Sequence, residues 1–491
     1  MAGKKYGKKQ DKKANKGKNI TETSSLIYKK DDLIELRIED LTEEGNGVGK
    51  IDGYTVFVHN ALPGDHVESK LIKVKRGYAI GIVHQMHEKS SERIEAPCPY
   101  ASKCGGCQLQ DLSYGGQTNY KEGHIKASLS RIGQVSEVEM HWDGFRGMEN
   151  PFHYRNKGIY QLSPKRDLAG FDMGFYRTRS HDLVDVKKCM LQSETANEIM
   201  EKFRVALEGS GLSIYDENTG KGAMRRVMIR TTNALNDIDE EAMLVLVTAE
   251  VSAEIMRFAK SLAALDGRIK SIYLNINSDP GNTALSQNYD HVYGKVHLID
   301  YIGNTAFKIS PQSFFQVNSR QTQVLYDEVV SCIRELENSH SVLDLYCGIG
   351  SIGAYVSKHI PEIDKIVGVE VVESAVEDAR ENALLNGLTN TEYHTGAAED
   401  VITALKEQGE MPDVVILDPP RKGCDEALLQ TLCEMDVKHI VYVSCKPSTL
   451  ARDLAYLGER GFVVERTVGV DMFPHSTHVE TVCLLTHISS M

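Results

Sequence analysis

Asp418 and Cys445 each end a short apolar run at a sharp break. The runs are D-V-V-I-L-D-P-P, from Asp413 to Pro420, and H-I-V-Y-V-S-C-K-P, from His439 to Pro447. At the carboxyl ends of two neighbouring parallel strands, these two groups would share the rim where open α/β sheets bind ligands. A thiol there can add to an electrophilic carbon, and a carboxylate can carry a proton. After Cys445 comes K-P-S-T-L-A-R-D-L, a helix start that Ser448 or Thr449 can cap. A thiol beside a helix N-terminus is expected to have a lowered pKa, and so more reactive thiolate. The ordinary alternative is a buried core cysteine. Glu480, in F-P-H-S-T-H-V-E-T-V, opens the final apolar run. A hairpin returning to the Cys445 strand would bring it to the same rim, whereas a strand-start Glu elsewhere is usually just solvated.

Two further groups of residues can do chemistry. P-C-P-Y-A-S-K-C-G-G-C sets Cys98, Cys104 and Cys107 at C-x5-C-x2-C spacing, and Cys189 in V-K-K-C-M is the nearest fourth thiol. Four cysteines suit an iron–sulfur cluster or structural zinc. The spacing lacks paired C-x2-C units and leans toward iron–sulfur, with zinc left open. Gly348, Gly350 and Gly353 fit G-x-G-x-x-G, which permits a tight turn and close approach of a ligand to the next helix. Glu370, at the end of the next apolar run, can accept hydrogen bonds from ribose hydroxyls. Asp344 lies just before the glycines, where a pyrophosphate would be repelled. That favours S-adenosylmethionine, which is cationic and carries no phosphate, over a nicotinamide dinucleotide.

These residues need a doubly wound sheet to position them. Val342–Tyr346 and Ile366–Val369 read as its first strands, the Asp418 and Cys445 runs as the fourth and fifth, and Val463–Val470 with His478–Ile488 as a closing hairpin. That finish resembles class I methyltransferases. Upstream, five short alternating segments between Leu33 and His84 are separated by turn signals such as Asn46-Gly47 and Asp52-Gly53. They predict an OB-like barrel with a basic edge at Lys70, Lys73, Lys75 and Arg76, suited to single-stranded nucleic acid, and the stretch resembles the TRAM domain. Asp111–Arg131 reads as a helix, which can pack on the catalytic domain. The middle of the chain is mixed α and β, and its Arg155, Lys157, Arg166, Arg177, Arg179, Arg225, Arg226 and Arg230 can contact phosphates.

The chain of 491 residues is 25% charged, with a formal net charge of -13. That argues against a purely electrostatic nucleic-acid binder but leaves room for a local basic surface. Eight lysines fall within residues 4 to 18, so residues 1–25 are expected to be a disordered tail, either solubilising or tethering a polyanion. No apolar run is long enough to span a bilayer, and a cytoplasmic monomer is expected. The expected organisation is this tail, an RNA-binding barrel at 26–88, a cysteine-bearing central domain at 89–310 and a catalytic domain at 311–491.

The motifs S-F-F-Q-V-N, D-L-Y-C-G-I-G, L-D-P-P-R-K-G, V-S-C-K-P-S-T and H-V-E-T-V, with the four cysteines, resemble the RNA (uracil-C5-)methyltransferase family. The similarity is greatest to its iron–sulfur 23S rRNA branch and covers about residue 30 to 488. It implies an α/β fold: a class I, Rossmann-like S-adenosylmethionine methyltransferase domain, an N-terminal TRAM barrel and a mixed α/β central domain. It implies Cys445 as nucleophile and Glu480 as the base taking the uracil C5 proton. It implies Gln316, Tyr346, Glu370 and Asp418 around S-adenosylmethionine, and a [4Fe-4S] cluster on Cys98, Cys104, Cys107 and Cys189. Phe314 or Phe315 can stack on a flipped base, line the cofactor pocket or pack in the core, and Arg421 and Lys422 can hold the RNA backbone. The alternatives are a tRNA T-loop uracil-C5 methyltransferase and a non-catalytic RNA-binding protein with a vestigial fold.

Overall fold

The computed structural model describes residues 28–490 apart from 166–169, 234–238, 280, 282, 409–410 and 436. The Lys-rich tail and Arg166 therefore lie outside the described residues. Contacts divide the chain into two compact units, one of residues up to 39 with 46–89, the other of residues 40–45 with 90–491.

In the first unit, strands β1 (Leu33–Leu41), β2 (Gly47–Ile51), β3 (Tyr54–His59), β4 (His66–Val74) and β5 (Tyr78–Glu88) close into a barrel in the order β1-β2-β3-β5-β4. Alternate residues Ile34, Leu36 and Ile38 point inward onto Val56, Val58, Val67 and Leu71. Asp52 and Gly53 both take positive φ at the two-residue hairpin turn, as that turn requires. Lys73, Lys75 and Arg76 are exposed, and Lys70 pairs with Asp31 at 3.1 Å.

The second unit opens with the cysteine loop, α1 (Tyr114–Arg131) and β6 (Trp142–Arg146). A seven-stranded sheet follows, built from β7 (Lys157–Pro164), β8 (Phe171–Tyr176), β9 (Leu183–Asp185), β10 (Met224–Thr231), β11 (Ala242–Thr248), β12 (Ile269–Ile276) and β13 (Tyr289–Gly294). Helices α2 (Glu194–Ser210) and α3 (Ala253–Ser261) contribute Phe203 and Phe258 to its core. The arginines of β10 serve this fold rather than the surface. Arg225 donates to the Asn277 and Asp279 carbonyls at 2.7 and 2.6 Å. Arg226 reaches Glu217 at 3.2 Å, and buried Arg230 donates to the Ser313 carbonyl.

A hairpin, β14 (Leu298–Ile302) with β15 (Thr305–Ile309), and α4 (Ser319–Arg334) lead into the catalytic sheet. There β16 (Ser341–Leu345), α5 (Ser351–His359), β17 (Lys365–Glu370), α6 (Glu373–Leu385), β18 (Thr391–Thr395), α7 (Ala398–Gln408), β19 (Val414–Leu417), α8 (Glu426–Glu434), β20 (His439–Ser444) and α9 (Pro447–Gly458) alternate. The antiparallel pair β21 (Phe462–Val470) and β22 (Glu480–His487) follows. The strand order is β18-β17-β16-β19-β20-β22-β21-β6. Order reverses between β16 and β19, the switch point at which such sheets bind ligands. Successive residues face opposite layers: Leu343, Val415 and Leu417 pack with α8 and α9, while Val342, Val414 and Ile416 pack with α4 and α5.

The stretch read from sequence as central domain also supplies part of this sheet. β6 lies parallel to β21 as its edge strand, and Ile125 and Leu129 of α1 enter the same core layer as Leu450 and Leu454 of α9. Among the described residues, no helix is long and apolar enough to cross a membrane.

Candidate active site

Strand register sets the geometry of the site. Ser444 pairs with Thr481 across β20 and β22, so Cys445 leaves its strand beside Glu480, the first residue of β22. Leu417 pairs with Tyr442 across β19 and β20, which puts Asp418 at the same carboxyl-end rim. Asp344 sits one strand over, on β16. Charge links several of these groups. Cys445 is acted on by Glu480, Asp418 and Arg421. Glu480 is acted on by Asp418 and Arg421. Buried Tyr326 of α4, 2.7 Å from the Ser351 hydroxyl, feels Asp418, Asp344 and Glu480 together.

Glu480 is 4% exposed, and its Oε2 has no hydrogen-bond partner among the described residues. Burial, then the Asp418 charge, raises its pKa well above the ordinary carboxyl range, while Arg421 opposes the rise. Burial alone pushes half-buried Asp418 up to about 7. Asp344 also rises to about 7, chiefly through burial, although its Oδ2 accepts the Gly353 N–H at 3.0 Å. Its Oδ1 is unpartnered.

The lowered thiol pKa expected for Cys445 is not found. Burial, with the Glu480 and Asp418 charges, pushes it up to about 11. The expected cap is also absent. Lys446 is the N-cap of α9, Pro447 occupies the first turn and no side chain caps the helix. Pro is well suited to that place because its missing N–H would have had no partner. Thr449 Oγ1 instead donates to the Lys446 carbonyl at 3.0 Å. Cys445 opens onto a cleft of about 190 Å³ that also exposes Arg421, His478, His124 and Lys446. Arg421 Nη2 lies 3.3 Å from His478 Nε2, and Lys422 turns away to pair with Asp425 at 3.1 Å.

The glycine turn faces the switch point. Gly350, at φ 72°, is the N-cap of α5, and a side chain there would collide with the Tyr393 ring at 2.8 Å. A Cβ on Gly348 would meet nothing within 4 Å, which leaves open space at the turn. Glu370 receives the Gly348 N–H at 3.2 Å and the Val372 N–H at 2.9 Å. Tyr346 holds a left-handed φ of 64°, which for a bulky residue stores strain at the turn. Half-buried Gln316 is tied through its carbonyl to the Asn156 amide at 3.0 Å. The two phenylalanines divide: Phe315 is in the core and Phe314 is 69% exposed.

The loop entering β22 is locked from three sides. Lys121 of α1 donates to Asp471 Oδ1 at 2.6 Å with both side chains fully buried, and to the Phe473 carbonyl at 3.0 Å. Tyr114 donates to Asp471 Oδ2 at 2.9 Å. The backbone N–H groups of Gln108 and Leu109 donate to the His475 carbonyl at 3.0 and 3.1 Å. Sequence reasoning missed Lys121, although its spacing before Ile125 and Leu129 put it on the buried stripe. It also missed Tyr326, which carries no local signal.

Cys98, Cys104 and Cys107 lie on the loop before α1 and Cys189 follows β9; all four are free thiols. Tyr176 O accepts the Gly105 N–H at 3.0 Å, and the Lys187 N–H donates to Tyr100 at 3.2 Å, so the two loops are fastened together. Burial pushes Cys107 up to about 12, and Cys189, Cys104 and Cys98 add to the rise. Gln110 Nε2 donates to Cys107 Sγ at 3.4 Å. Among the described residues, no group of three or more His, Cys, Asp or Glu side chains is arranged to hold a metal ion.

Comparison with known proteins adds a second line. The tRNA (uracil-5-)-methyltransferase family matches residues 148–488, and the TRAM domain matches residues 32–84. The chain is 40% identical over 460 residues to an uncharacterized RNA methyltransferase of Bacillus cereus, covering 94% of this chain and 97% of that one. It is 42% identical over 462 residues to one of Listeria monocytogenes, covering 94% and 98%. The crystal structure of Pyrococcus abyssi tRNA (uracil-54, C5)-methyltransferase with S-adenosyl-L-homocysteine superimposes at TM-score 0.72 and 26% identity, covering 92% of this chain and 100% of that one.

Proposed function

The chain belongs to the tRNA (uracil-5-)-methyltransferase family, and from that premise we propose that it methylates C5 of a specific uridine in 23S rRNA through a covalent Cys445 adduct. The observation that carries this reading is the register that brings Cys445, Glu480 and Asp418 to one rim. The C5 carbon of uracil is a poor nucleophile until C6 is attacked. Cys445 sulfur adds to C6, and the displaced electron pair becomes an enolate with carbanion character at C5. Glu480 then accepts the C5 proton, the C5–H pair re-forms the ring double bond and the Cys445 thiolate leaves. Bound S-adenosylmethionine supplies the methyl group that C5 takes in between. Asp418, Glu370, Tyr346 and Gln316 would hold it. The fit rests on the buried, unpartnered oxygens of the neighbouring Asp344 and Glu480, which suit a cation, and on the open space at Gly348. Stacked bases are out of reach of Cys445, so the uridine must flip out, and exposed Arg421, which lines the Cys445 cleft, would hold its backbone.

Cys98, Cys104, Cys107 and Cys189 would hold a [4Fe-4S] cluster. Such a cluster takes one thiolate on each of four irons, so its ligands need not converge on one point as for a single ion. The Cys107 thiol, raised in part by Cys189, Cys104 and Cys98 and accepting an N–H···S bond from Gln110, supports it.

Transfer of a labelled methyl group to 23S rRNA and tRNA transcripts tests the function. Incorporation into rRNA at 5-methyluridine is expected. Incorporation into the tRNA T-loop alone would move the assignment to tRNA, the substrate of the Pyrococcus relative. Glu480→Gln should trap a protein–RNA adduct on a denaturing gel, and the same variant carrying Cys445→Ala should trap none. Full turnover by Cys445→Ala would end the covalent mechanism.

A further inference from the structure

Asp344 on β16, Asp418 just past β19 and Glu480 at the start of β22 lie toward one end of the catalytic sheet, and among the described residues none of them has an ion-pair partner. Asp344 Oδ1 and Glu480 Oε2 are buried without any hydrogen bond. The groups packed around them make the shortage of positive charge worse. Asp344 faces Glu370 of β17 and lies near the Cys347 thiol and the Tyr393 phenol. Tyr326 of α4 feels the charge of all three carboxylates. Cys445 of β20 faces Asp418 and Glu480. Arg421 is the cation acting on Glu480 and Cys445.

We propose that these three carboxylates discriminate methyl donor from spent product by charge: the free cluster carries protons that the sulfonium form expels and the thioether form leaves in place. This rests on the reading of the site as an S-adenosylmethionine pocket. The two ligands have the same adenosine and amino-acid ends, so the sulfur charge is the difference the cluster can sense. The direction follows from linkage. A carboxyl raised to about 7 in the free site and returned toward its ordinary range by a neighbouring cation binds fewer protons in the complex. Complex formation therefore releases protons, and donor affinity rises with pH as the free carboxyls of Asp344 and Asp418 ionise near pH 7. Glu480 gains its role from the same event, because a carboxyl that keeps its proton cannot accept one from C5. Once the methyl group has left, the positive charge is gone and Glu480 regains proton affinity at the step that needs it.

The test is isothermal titration calorimetry of the full-length protein at pH 6.5, in buffers of differing ionisation enthalpy. The ligands are S-adenosylmethionine, S-adenosylhomocysteine and an analogue bearing an ammonium in place of the sulfonium. Asp344 and Asp418, each about three-quarters protonated at that pH, should together release about 1.5 protons with each cationic ligand, and close to none with the thioether. The affinity ratio of donor to product should rise by at least about tenfold between pH 5.5 and 7. Asp344→Asn, at a carboxylate outside the set that would hold the ligand, should lower the proton count for the donor while the thioether still binds. Equal proton release by donor and product would overturn the proposal and leave the assigned function standing. Failure of every ligand to bind would overturn the function itself.

Discussion

Replacement of Lys121 by methionine should disable the base without touching it. The Lys121 ammonium and the Asp471 carboxylate are 2.6 Å apart and both fully buried. At an effective dielectric of about 20, that separation corresponds to an attraction of about 6 kcal/mol, set against the lost hydration of both ions. Removing one partner leaves the other charge buried alone, a loss of about 3–5 kcal/mol. The Tyr114 hydroxyl still donates to Asp471, which places the expected loss toward the lower end of that range. The damage falls on the loop that delivers Glu480. With Oε2 unbonded, Glu480 depends on its backbone for position. Lys121→Met should therefore slow tritium release from 5-tritiated uridine in RNA more than it slows methyl incorporation, and covalent adduct should build up. Adding Asp471→Asn should recover part of the stability in urea melts, because the stranded charge is removed. A single variant that loses less than about 1 kcal/mol, or that slows both steps equally, would refute the reasoning.

Arg421→Met removes the cation that opposes the rise of Cys445. Its thiol should titrate still higher than about 11, so adduct formation at pH 7 should fall about tenfold and recover as pH climbs toward the thiol pKa. Wild-type and variant pH profiles that stay parallel across that range would exclude the electrostatic role. Protein purified without oxygen should be brown and contain iron, and Cys98→Ser or Cys189→Ser should each lose both. Colourless wild-type protein with stoichiometric zinc would overturn the cluster.

Much of this architecture is legible in the sequence because it rests on period. The alternation of Ile34, Leu36 and Ile38 and the unbroken run Val414–Leu417 declare a barrel strand and a buried parallel strand before any coordinates are seen. Turn chemistry does the same for Asp52-Gly53. The electrostatics of the site depend instead on groups distant in sequence. The helix N-terminus after Cys445 argues for a depressed pKa, but the Asp418 and Glu480 carboxylates that reverse it arrive from other strands. Glu480 is read from sequence to the Cys445 rim, but its burial is not legible there, because it depends on a loop pinned by α1. The β10 arginines illustrate the same limit: composition marks them as possible phosphate contacts, while the Asn277, Asp279 and Ser313 carbonyls that claim Arg225 and Arg230 are known only from the fold.

The outer edge of the catalytic sheet joins β6 to β21, and α1 grips the loop between β21 and β22. Segments made early in synthesis must therefore wait for the last hairpin before their own buried faces are covered. A ribosome that stalls before β22 would leave Lys121 and the apolar side of α1 in water, a state that proteases and chaperones recognise. Premature termination should thus yield a chain that is cleared, rather than one that grips RNA and blocks its modification.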